Sequence, residues 1–194
     1  MDIKLAFGII SSIVAIICFV PYLRDIFRKT TQPHAYSWLV WTILQTVGVA
    51  GQLKDGAGYG AWALAIGAVF CFTIFLLSFK YGTKNITRFD LYCLLASLVA
   101  IVLYFFLENP LWAIIAVAVT DFVGFLPTFR KGWEEPNSET PSTFALSALA
   151  NLLSLFALQN YSVTTILYIA SLFVTNSSFV AMIVIRTKML KNNL

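Results

Sequence analysis

Long stretches without a charged side chain constrain the fold of this chain more than any other feature of its sequence. About 20 apolar residues cross a bilayer as a helix, and a helix satisfies its own backbone hydrogen bonds in lipid. The stretches, of which the fifth contains one aspartate, occupy residues 5–23, 35–53, 56–79, 91–107, 109–129 and 140–185. The last of them is long enough for two helices, and a turn within it is marked by Gln159, Asn160 and Tyr161. The sequence therefore predicts an all-α integral membrane protein with seven transmembrane helices.

The composition and the distribution of positive charge agree with this prediction. Charged residues make up only 11% of the 194 residues, against roughly 25% in soluble domains. Of the 13 lysines and arginines, only Lys4 and Lys54 fall on one side of a seven-helix topology. Because cytoplasmic loops are enriched in these residues, we expect the N-terminus outside and the C-terminus in the cytoplasm, in a plasma or inner membrane. The net charge of +4 then reflects topology and gives no reason to expect nucleic acid as a partner.

Features of residues 21–41 recur 106 residues later, in residues 127–147, without a gap. Pro21 pairs with Pro127 and, further along, Gln45 pairs with Asn151. The uniformly apolar fourth helix has no equivalent in the repeat. As a linker that crosses the membrane once, it lets two three-helix units lie parallel. The predicted organisation is a three-helix repeat, a loop with a linker helix, and a second three-helix repeat, at residues 1–80, 81–107 and 108–194.

Both repeats carry a polar stripe on their second helix. Helical spacing places five residues on one face of the predicted second helix, namely Trp38, Trp41, Gln45, Gly48 and Gln52. Matching positions of the sixth helix hold Ser147, Asn151 and Ser154. Such faces are costly in lipid, so we expect both to face a shared interior. The alternative for Trp38 and Trp41 is a place in the aromatic belt at the membrane interface.

Asp121 lies about halfway along the predicted fifth helix, where a lone carboxylate costs roughly 2.5 to 3.5 kcal/mol on insertion scales. Two interpretations of this residue are open: a reversible proton carrier, or a carboxyl group hydrogen-bonded to a Ser or Thr of a neighbouring helix. Pro21 and Pro127 each remove a backbone donor near the cytoplasmic end of their helices. Their positions predict a kink or hinge in both helices.

Two further segments carry polar residues. The seventh helix has five small polar residues at mid-depth, which predict either a ligand-facing wall or hydrogen bonding between helices: Ser171, Thr175, Asn176, Ser177 and Ser178. Residues 130–143 mix basic side chains with three glutamates and two prolines, and we expect a solvated connector. The three cysteines have no CxxC spacing and are expected to be free packing residues, at Cys18, Cys71 and Cys93.

No pattern in the sequence is typical of an enzyme. The only histidine, His34, lies in a predicted loop, and Asp121 has no second intramembrane aspartate beside it. Lys188 lies beyond the last predicted transmembrane span, where it could not hold retinal. Phosphate-binding loops and nucleophile motifs are absent from the sequence. We therefore predict no enzymatic activity, no metal site and no cofactor.

These features resemble the PQ-loop and SWEET-like (MtN3-type) transporter superfamily, in which a three-helix unit with a proline-bearing first helix is duplicated around a linker helix. The resemblance covers nearly the whole chain. The Pro-Gln dipeptide of that family appears here as Pro21-Tyr22 and Pro127-Thr128. In sugar-transporting members an asparagine of each unit lines the pocket. Asn176 matches that role in the second unit, and its repeat partner is Phe70.

The resulting hypothesis is a carrier that moves a small polar solute, such as a sugar, amino acid or vitamin, by alternating access between the two repeats. The expected substrate-binding residues are Asn176, Asn151, Gln45, Trp41, Ser177 and Ser147. Asp121 is the candidate for proton coupling, and Pro21 and Pro127 are the candidate hinges. Expected partners are the bilayer and the solute, with homo-oligomerisation left open. The alternatives are a non-transporting receptor or scaffold that binds through residues 130–139, and an oligomeric ion channel.

Overall fold

Seven α-helices form the part of the chain that the computed structural model describes, which is residues 2–192 with only the backbone at Tyr104, Pro110 and Asn192. The helices are α1 (Ile3–Phe27), α2 (Ala35–Lys54), α3 (Trp62–Tyr81), α4 (Arg88–Tyr104), α5 (Pro110–Glu134), α6 (Pro141–Ala157) and α7 (Val163–Asn192). Short 3₁₀ turns at Gly58–Ala61 and Pro136–Ser138 precede α3 and α6. No strand occurs within residues 2–192. The all-helical prediction is confirmed, and the turn expected at residues 159–161 does separate α6 from α7.

Polar side chains set several helix starts. The Asp2 carboxylate accepts a hydrogen bond from the backbone N–H of Lys4 at 3.0 Å, where α1 begins. At the start of α4, Thr87 and Asp90 each accept from the backbone N–H of the other, at 3.3 and 2.7 Å. Asn109 accepts from the backbone N–H of Leu111 at 2.9 Å before α5. Because each contact satisfies a backbone donor that has no intrahelical partner, the helices start at these residues.

Lys29 ends the turn after α1 in the left-handed region, with φ of 58°. This conformation is unfavourable for a residue with a Cβ atom and is tolerated by glycine. Since the Lys29 side chain is exposed, we expect Lys29→Gly to raise the free energy of unfolding by about 0.5 to 1 kcal/mol. Thermal unfolding in detergent measures the change. Lys29→Val is the matched control and is expected to lower stability, because a β-branched residue tolerates this φ least.

The helices pack in the same order in both halves of the chain. α3 packs between α1 and α2, and α7 packs between α5 and α6. Within residues 2–192, no Cα atom of α1 lies within 8 Å of a Cα atom of α2, and the same is true of α5 and α6. The two halves meet through α1 against α6 and through α2 against α5, while α4 packs on α5 and α2. The first and second helices of each half therefore form the contact with the other half.

Apolar side chains cover much of the outer surface. Four of the described helical segments are long and apolar enough to cross a membrane, namely Ile3–Phe27, Gly58–Tyr81, Leu111–Glu134 and Val163–Lys191. The helix Pro141–Ala157 is apolar but shorter. α1 alone exposes six isoleucines, at Ile3, Ile9, Ile10, Ile13, Ile16 and Ile17. Because water would leave such a face poorly solvated, lipid is the environment that this surface suits.

Candidate functional site

A cavity lies at the centre of the bundle, between the two halves. It offers about 70 Å³ to the centres of water molecules, which is room for roughly five waters or a solute of similar bulk. Its wall comes from α1, α2, α3, α5, α6 and α7, and α4 contributes none of it. The polar and aromatic lining residues are Cys18, Phe19, Trp38, Trp41, Gln45, Cys71, Asp121, Phe125, Thr143, Phe144, Ser147, Asn151 and Asn176. All charged, amide and aromatic groups that could bind a solute there are on helices, which fix their positions.

Three amide side chains reach this cavity from three helices. Asn151 donates from Nδ2 to the carbonyl of Ser147 at 2.9 Å, and Asn176 donates to the carbonyl of Leu172 at 2.8 Å. Since a carbonyl can only accept, these contacts fix which end of each amide is the oxygen. Gln45 donates from Nε2 to the thiol sulfur of Cys71 at 3.2 Å. The amide nitrogens are thus directed to protein atoms, and the amide oxygens are available to a ligand.

Asp121 enters the cavity from the middle of α5 and is 2% exposed. The phenol of Tyr168 on α7 donates to its Oδ1 across 3.5 Å, a long hydrogen bond. Tyr168 is itself fully buried and packs against Gly48, where a Cβ atom would lie 2.6 Å from the tyrosine ring. The absence of a side chain at Gly48 therefore makes room for the one residue that hydrogen-bonds Asp121. The hydrogen-bond partner of this carboxylate is a tyrosine, in place of the Ser or Thr expected from the sequence for a hydrogen-bonded carboxyl group.

Residues 28–34 and 135–140 connect the helices at one end of the bundle, which we call the loop end. Aromatic rings close the cavity toward this end. Trp41 meets Phe125 edge to face with ring centroids 4.6 Å apart, and Phe144 meets Phe179 at 4.5 Å. Trp38 packs on both Trp41 and Tyr22, each at 5.0 Å. Trp38 and Trp41 are 3% and 6% exposed. They form an internal seal, and the alternative of an interfacial belt does not fit their burial.

Beyond this seal, a buried ion pair joins the two connections of the loop end. Lys131 Nζ lies 2.6 Å from Glu139 Oε1, and neither side chain is exposed. The Tyr22 phenol donates to the other oxygen of Glu139 at 3.2 Å. Lys131 also donates to the carbonyls of Gln32 and Ser138. Every proton donor of this buried ammonium group thus has an acceptor, which is the condition under which a buried charge is tolerated.

Two threonines continue this contact between the connections. Thr31 Oγ1 and Thr140 Oγ1 lie 2.5 Å apart, and Thr140 also donates to Asp25 at 3.0 Å. We call Tyr22, Thr31, Lys131, Glu139 and Thr140 the loop-end cluster. Glu139 is 5% and Thr140 is 4% exposed. The expectation of a solvated connector at residues 130–143 is therefore wrong: α5 continues to Glu134, and the rest of the segment packs against the connection after α1.

A second polar group fixes α4 beside the loop end. Arg130 donates to both carboxylate oxygens of Asp90, at 2.9 and 2.7 Å, and to the carbonyl of Asn85 at 2.9 Å. His34, at the start of α2, places Nε2 3.4 Å from Asp90 and is fully buried. These contacts join α2, α4 and α5 at one point. Charge-assisted, two-pronged contacts of this kind hold helices in a fixed orientation.

Burial lowers the pKa of His34 to about 4, and the nearby Arg130 and Lys131 act in the same direction while Asp90 opposes them. The folded protein therefore keeps His34 neutral at pH values where the unfolded chain protonates it. Stability is complete above the ordinary pKa of about 6.5 and falls as the pH drops from there toward 4, by on the order of 3 kcal/mol in total. We expect His34→Asn to reduce this pH dependence. Thermal unfolding of both proteins at pH 7.5 and 5.0 measures it, and an unchanged difference would argue against a neutral His34.

Comparisons with known proteins give no relative for this chain. No family model, curated protein or solved structure matches it. The interpretation of the cavity therefore depends on its own residues. Within residues 2–192, no three His, Cys, Asp or Glu side chains come together as a metal ion would require.

The structure brings most of the expected substrate-binding residues together. Six of the residues selected from the sequence line the cavity: Trp41, Gln45, Ser147, Asn151, Asn176 and the proton-coupling candidate Asp121. Ser177 is half-buried and does not line it. Pro21 and Pro127 lie inside the continuous helices α1 and α5. The sequence did not predict the contacts made by Tyr168, Lys131 and Glu139. Tyr168 and Tyr22 are distant in the chain from Asp121 and Glu139, and Lys131 and Glu139 form no local pattern although they are close in the sequence.

Proposed function

We propose that this chain is an integral membrane carrier that moves a small polar solute by alternating access. The observation that carries the proposal is the central cavity, which six helices from both halves line with amide, hydroxyl and carboxyl groups. Polar groups around a central cavity in an otherwise apolar bundle are typical of solute pathways. The linker role proposed for α4 fits its absence from the cavity wall.

The packing order supports a duplicated 3+1+3 architecture like that of PQ-loop and SWEET-like transporters. In each proposed repeat, at residues 1–80 and 108–194, the third helix lies between the first two. In the proposed repeat, α1 is equivalent to α5 and α2 is equivalent to α6. The contact of α1 with α6 is therefore equivalent to the contact of α5 with α2, and the structure has both contacts. A two-fold relation between the halves accounts for this pairing. Gln45 and Asn151, which are equivalent under it, both line the cavity.

The proposed topology has seven spans, with the N-terminus outside and the C-terminus in the cytoplasm of a plasma or inner membrane. Four helical segments are long and apolar enough to cross on their own. α6 has 17 residues, which is about 26 Å of helix against roughly 30 Å of hydrocarbon. It packs between α1 and α7, which shield it from lipid. Lysine and arginine enrichment then assigns the loop end to the cytoplasm.

The loop-end cluster is the proposed cytoplasmic gate. Pro21 directly precedes Tyr22 in α1, and Pro127 lies one helical turn before Lys131 in α5. Because a proline lacks the hydrogen bond that would stiffen the helix, bending at these positions would displace both cluster members. Opening of the cluster and of the aromatic seal would connect the cavity to the cytoplasm. Asp121 is the proposed site for proton coupling in this cycle.

The two alternative functions have less support. A scaffold that binds partners through residues 130–139 would use the exposed Trp133, Glu134 and Glu135, yet Lys131 and Glu139 of the same segment are buried in contacts within the chain. An ion channel needs a continuous polar path, and the aromatic seal interrupts the path at the loop end. The cavity and its closure thus favour a carrier over both.

We expect Asn176→Ala to lower solute flux into proteoliposomes at least about tenfold, because the loss of one buried hydrogen-bonding group costs 1 to 3 kcal/mol. The assay measures uptake of a panel of sugars, amino acids, amines and vitamins, with and without a pH gradient. Ser178→Ala is the matched control, since Ser178 is exposed on the same helix and its hydroxyl donates to the Val174 carbonyl one helical turn earlier. Absence of flux for every solute in the wild-type protein would contradict the proposed function.

A further inference from the structure

The cavity has one charged side chain and no basic one. Among the residues that the structure describes, Asp121 is the only Asp or Glu in its wall, and no Lys, Arg or His lines it. Within residues 2–192, the phenol of Tyr168 is the only group that donates to this carboxylate, and the contact is 3.5 Å long. A buried carboxylate with so weak a partner is unfavourable unless a positive charge or a proton joins it. The site therefore lacks the positive half of an ion pair.

Amide orientation adds acceptors around that carboxylate. One N–H of each amide of Asn151 and Asn176 is donated to the carbonyl one helical turn earlier, and each –NH₂ group keeps a second donor. Within the described residues, their side-chain oxygens accept no hydrogen bond, although both residues line the cavity. Gln45 likewise directs its N–H group to the Cys71 sulfur. A solute that donates hydrogen bonds would satisfy these oxygens, whereas a solute that only accepts would not.

Aromatic rings complete the wall on the loop-end side. Trp41 and Phe125 form an edge-to-face pair at 4.6 Å, and Phe19, Trp38 and Phe144 also line the cavity. Their faces carry the negative part of the ring quadrupole, which attracts cations. The carboxylate, the amide oxygens and the aromatic faces of the wall can each interact favourably with a positive charge.

We propose that the solute is a small organic monocation with N–H donors, such as a protonated primary amine, whose ammonium group pairs with Asp121 and donates to the oxygens of Asn151 and Asn176. This inference rests on the proposed function, since it assigns a substrate class to the same cavity. A zwitterionic amino acid or an organic acid would bring a carboxylate for which the wall has no cation. A sugar would bring no positive charge, so Asp121 would have to hold a proton while the sugar is bound. The volume of about 70 Å³ favours a solute of a few non-hydrogen atoms.

Binding to the purified full chain in nanodiscs of zwitterionic lipid tests the inference. Four small probes share a three-carbon skeleton and carry different charges: n-propylammonium is a cation, 1-propanol is neutral, propionate is an anion and β-alanine is a zwitterion. Quenching of tryptophan fluorescence reports each dissociation constant, since Trp38 and Trp41 line the cavity. We expect propylammonium to bind at least about 30-fold more tightly than each of the other three probes. This factor corresponds to the free energy lost when one partner of a buried charge pair is missing.

Variants then assign the charge preference to one residue. Asp121→Asn is expected to abolish the preference and Asp121→Glu to retain part of it. Glu108→Gln is the matched control, because Glu108 is an exposed carboxylate in the connection between α4 and α5. If Asp121→Asn does not fold, the wild-type selectivity among the four probes decides alone. Equal binding of all four, or preference for propanol, propionate or β-alanine, would overturn the inference.

Flux measurements separate this inference from the proposed function. Selective propylammonium binding without transport of any solute would support the binding site and contradict the carrier. Transport of a neutral or zwitterionic solute, together with no selective propylammonium binding, would support the carrier and contradict the cation. Uptake of labelled ethylammonium that Asp121→Asn removes would support both.

Discussion

Lys131→Met is expected to lower the free energy of unfolding by about 3 to 5 kcal/mol, because it leaves Glu139 as an unpaired charge in a buried site. The Lys131–Glu139 contact is 2.6 Å long, and both side chains are inaccessible to solvent. The Gln32 carbonyl loses this donor as well, and the Ser138 carbonyl keeps only the backbone N–H of Gln32. For a protein of this size the expected decrease in Tm is on the order of 10 °C. Thermal unfolding in detergent, followed by tryptophan fluorescence, measures it.

The double variant Lys131→Met with Glu139→Gln separates the cost of the unpaired charge from the loss of the pair. We expect it to recover a large part of the stability, because no buried ion remains. Lys84→Met is the matched control, since Lys84 is exposed and forms no ion pair among the described residues. A Tm of the single variant equal to that of Lys84→Met would mean that the ion pair is solvated in the membrane protein.

A disulfide between cysteines at positions 31 and 140 is expected to reduce flux to background. Thr31 Oγ1 and Thr140 Oγ1 lie 2.5 Å apart, so their Cβ atoms are close enough for a disulfide without backbone movement. The bond would hold the loop-end cluster closed, and alternating access requires that end to open. Uptake by the oxidised double variant Thr31→Cys and Thr140→Cys measures the effect, and reductant should restore the flux.

The single variants Thr31→Cys and Thr140→Cys are the controls, and they should respond to neither oxidant nor reductant. The native thiols interfere little, because Cys18, Cys71 and Cys93 are free and buried. A gel shift or mass measurement establishes that the disulfide has formed. Normal flux through the fully oxidised double variant would show that the loop end need not open, and it would contradict the proposed gate.

Helix positions follow from the sequence because lipid and water impose opposite demands on side chains. Each uncharged stretch contains a helix, and the turn at residues 159–161 falls between α6 and α7. The ends are less predictable: α5 extends to Glu134 and α1 to Phe27, beyond the last uncharged residues. Charged residues at a helix end are compatible with continued helix once they leave the hydrocarbon. Hydropathy therefore predicts where the helices lie, but it does not predict the residues at which they end.

The cavity residues are partly visible in the sequence, because the 106-residue offset relates Gln45 to Asn151. Ser177 shows the limit of this reasoning. It follows Asn176 directly, and one residue turns a helix by about 100°, so a neighbour at the same depth faces elsewhere. The burial of Glu139 was not predictable, because its partner Lys131 and the Tyr22 phenol come from α5 and α1. A charged residue is usually solvated unless such distant partners exist.

The ionic character of the loop-end cluster has a consequence for how readily it separates. When an apolar seal opens, its surface enters water and gains nothing in return. When Lys131 and Glu139 part, each regains a hydration shell, and this hydration offsets most of the lost attraction. The ion pair thus defines the geometry of the closed form, but it lowers the free energy of the closed form little relative to the open form. A chain with two apolar side chains in their place would hold the closed form more firmly and turn over more slowly.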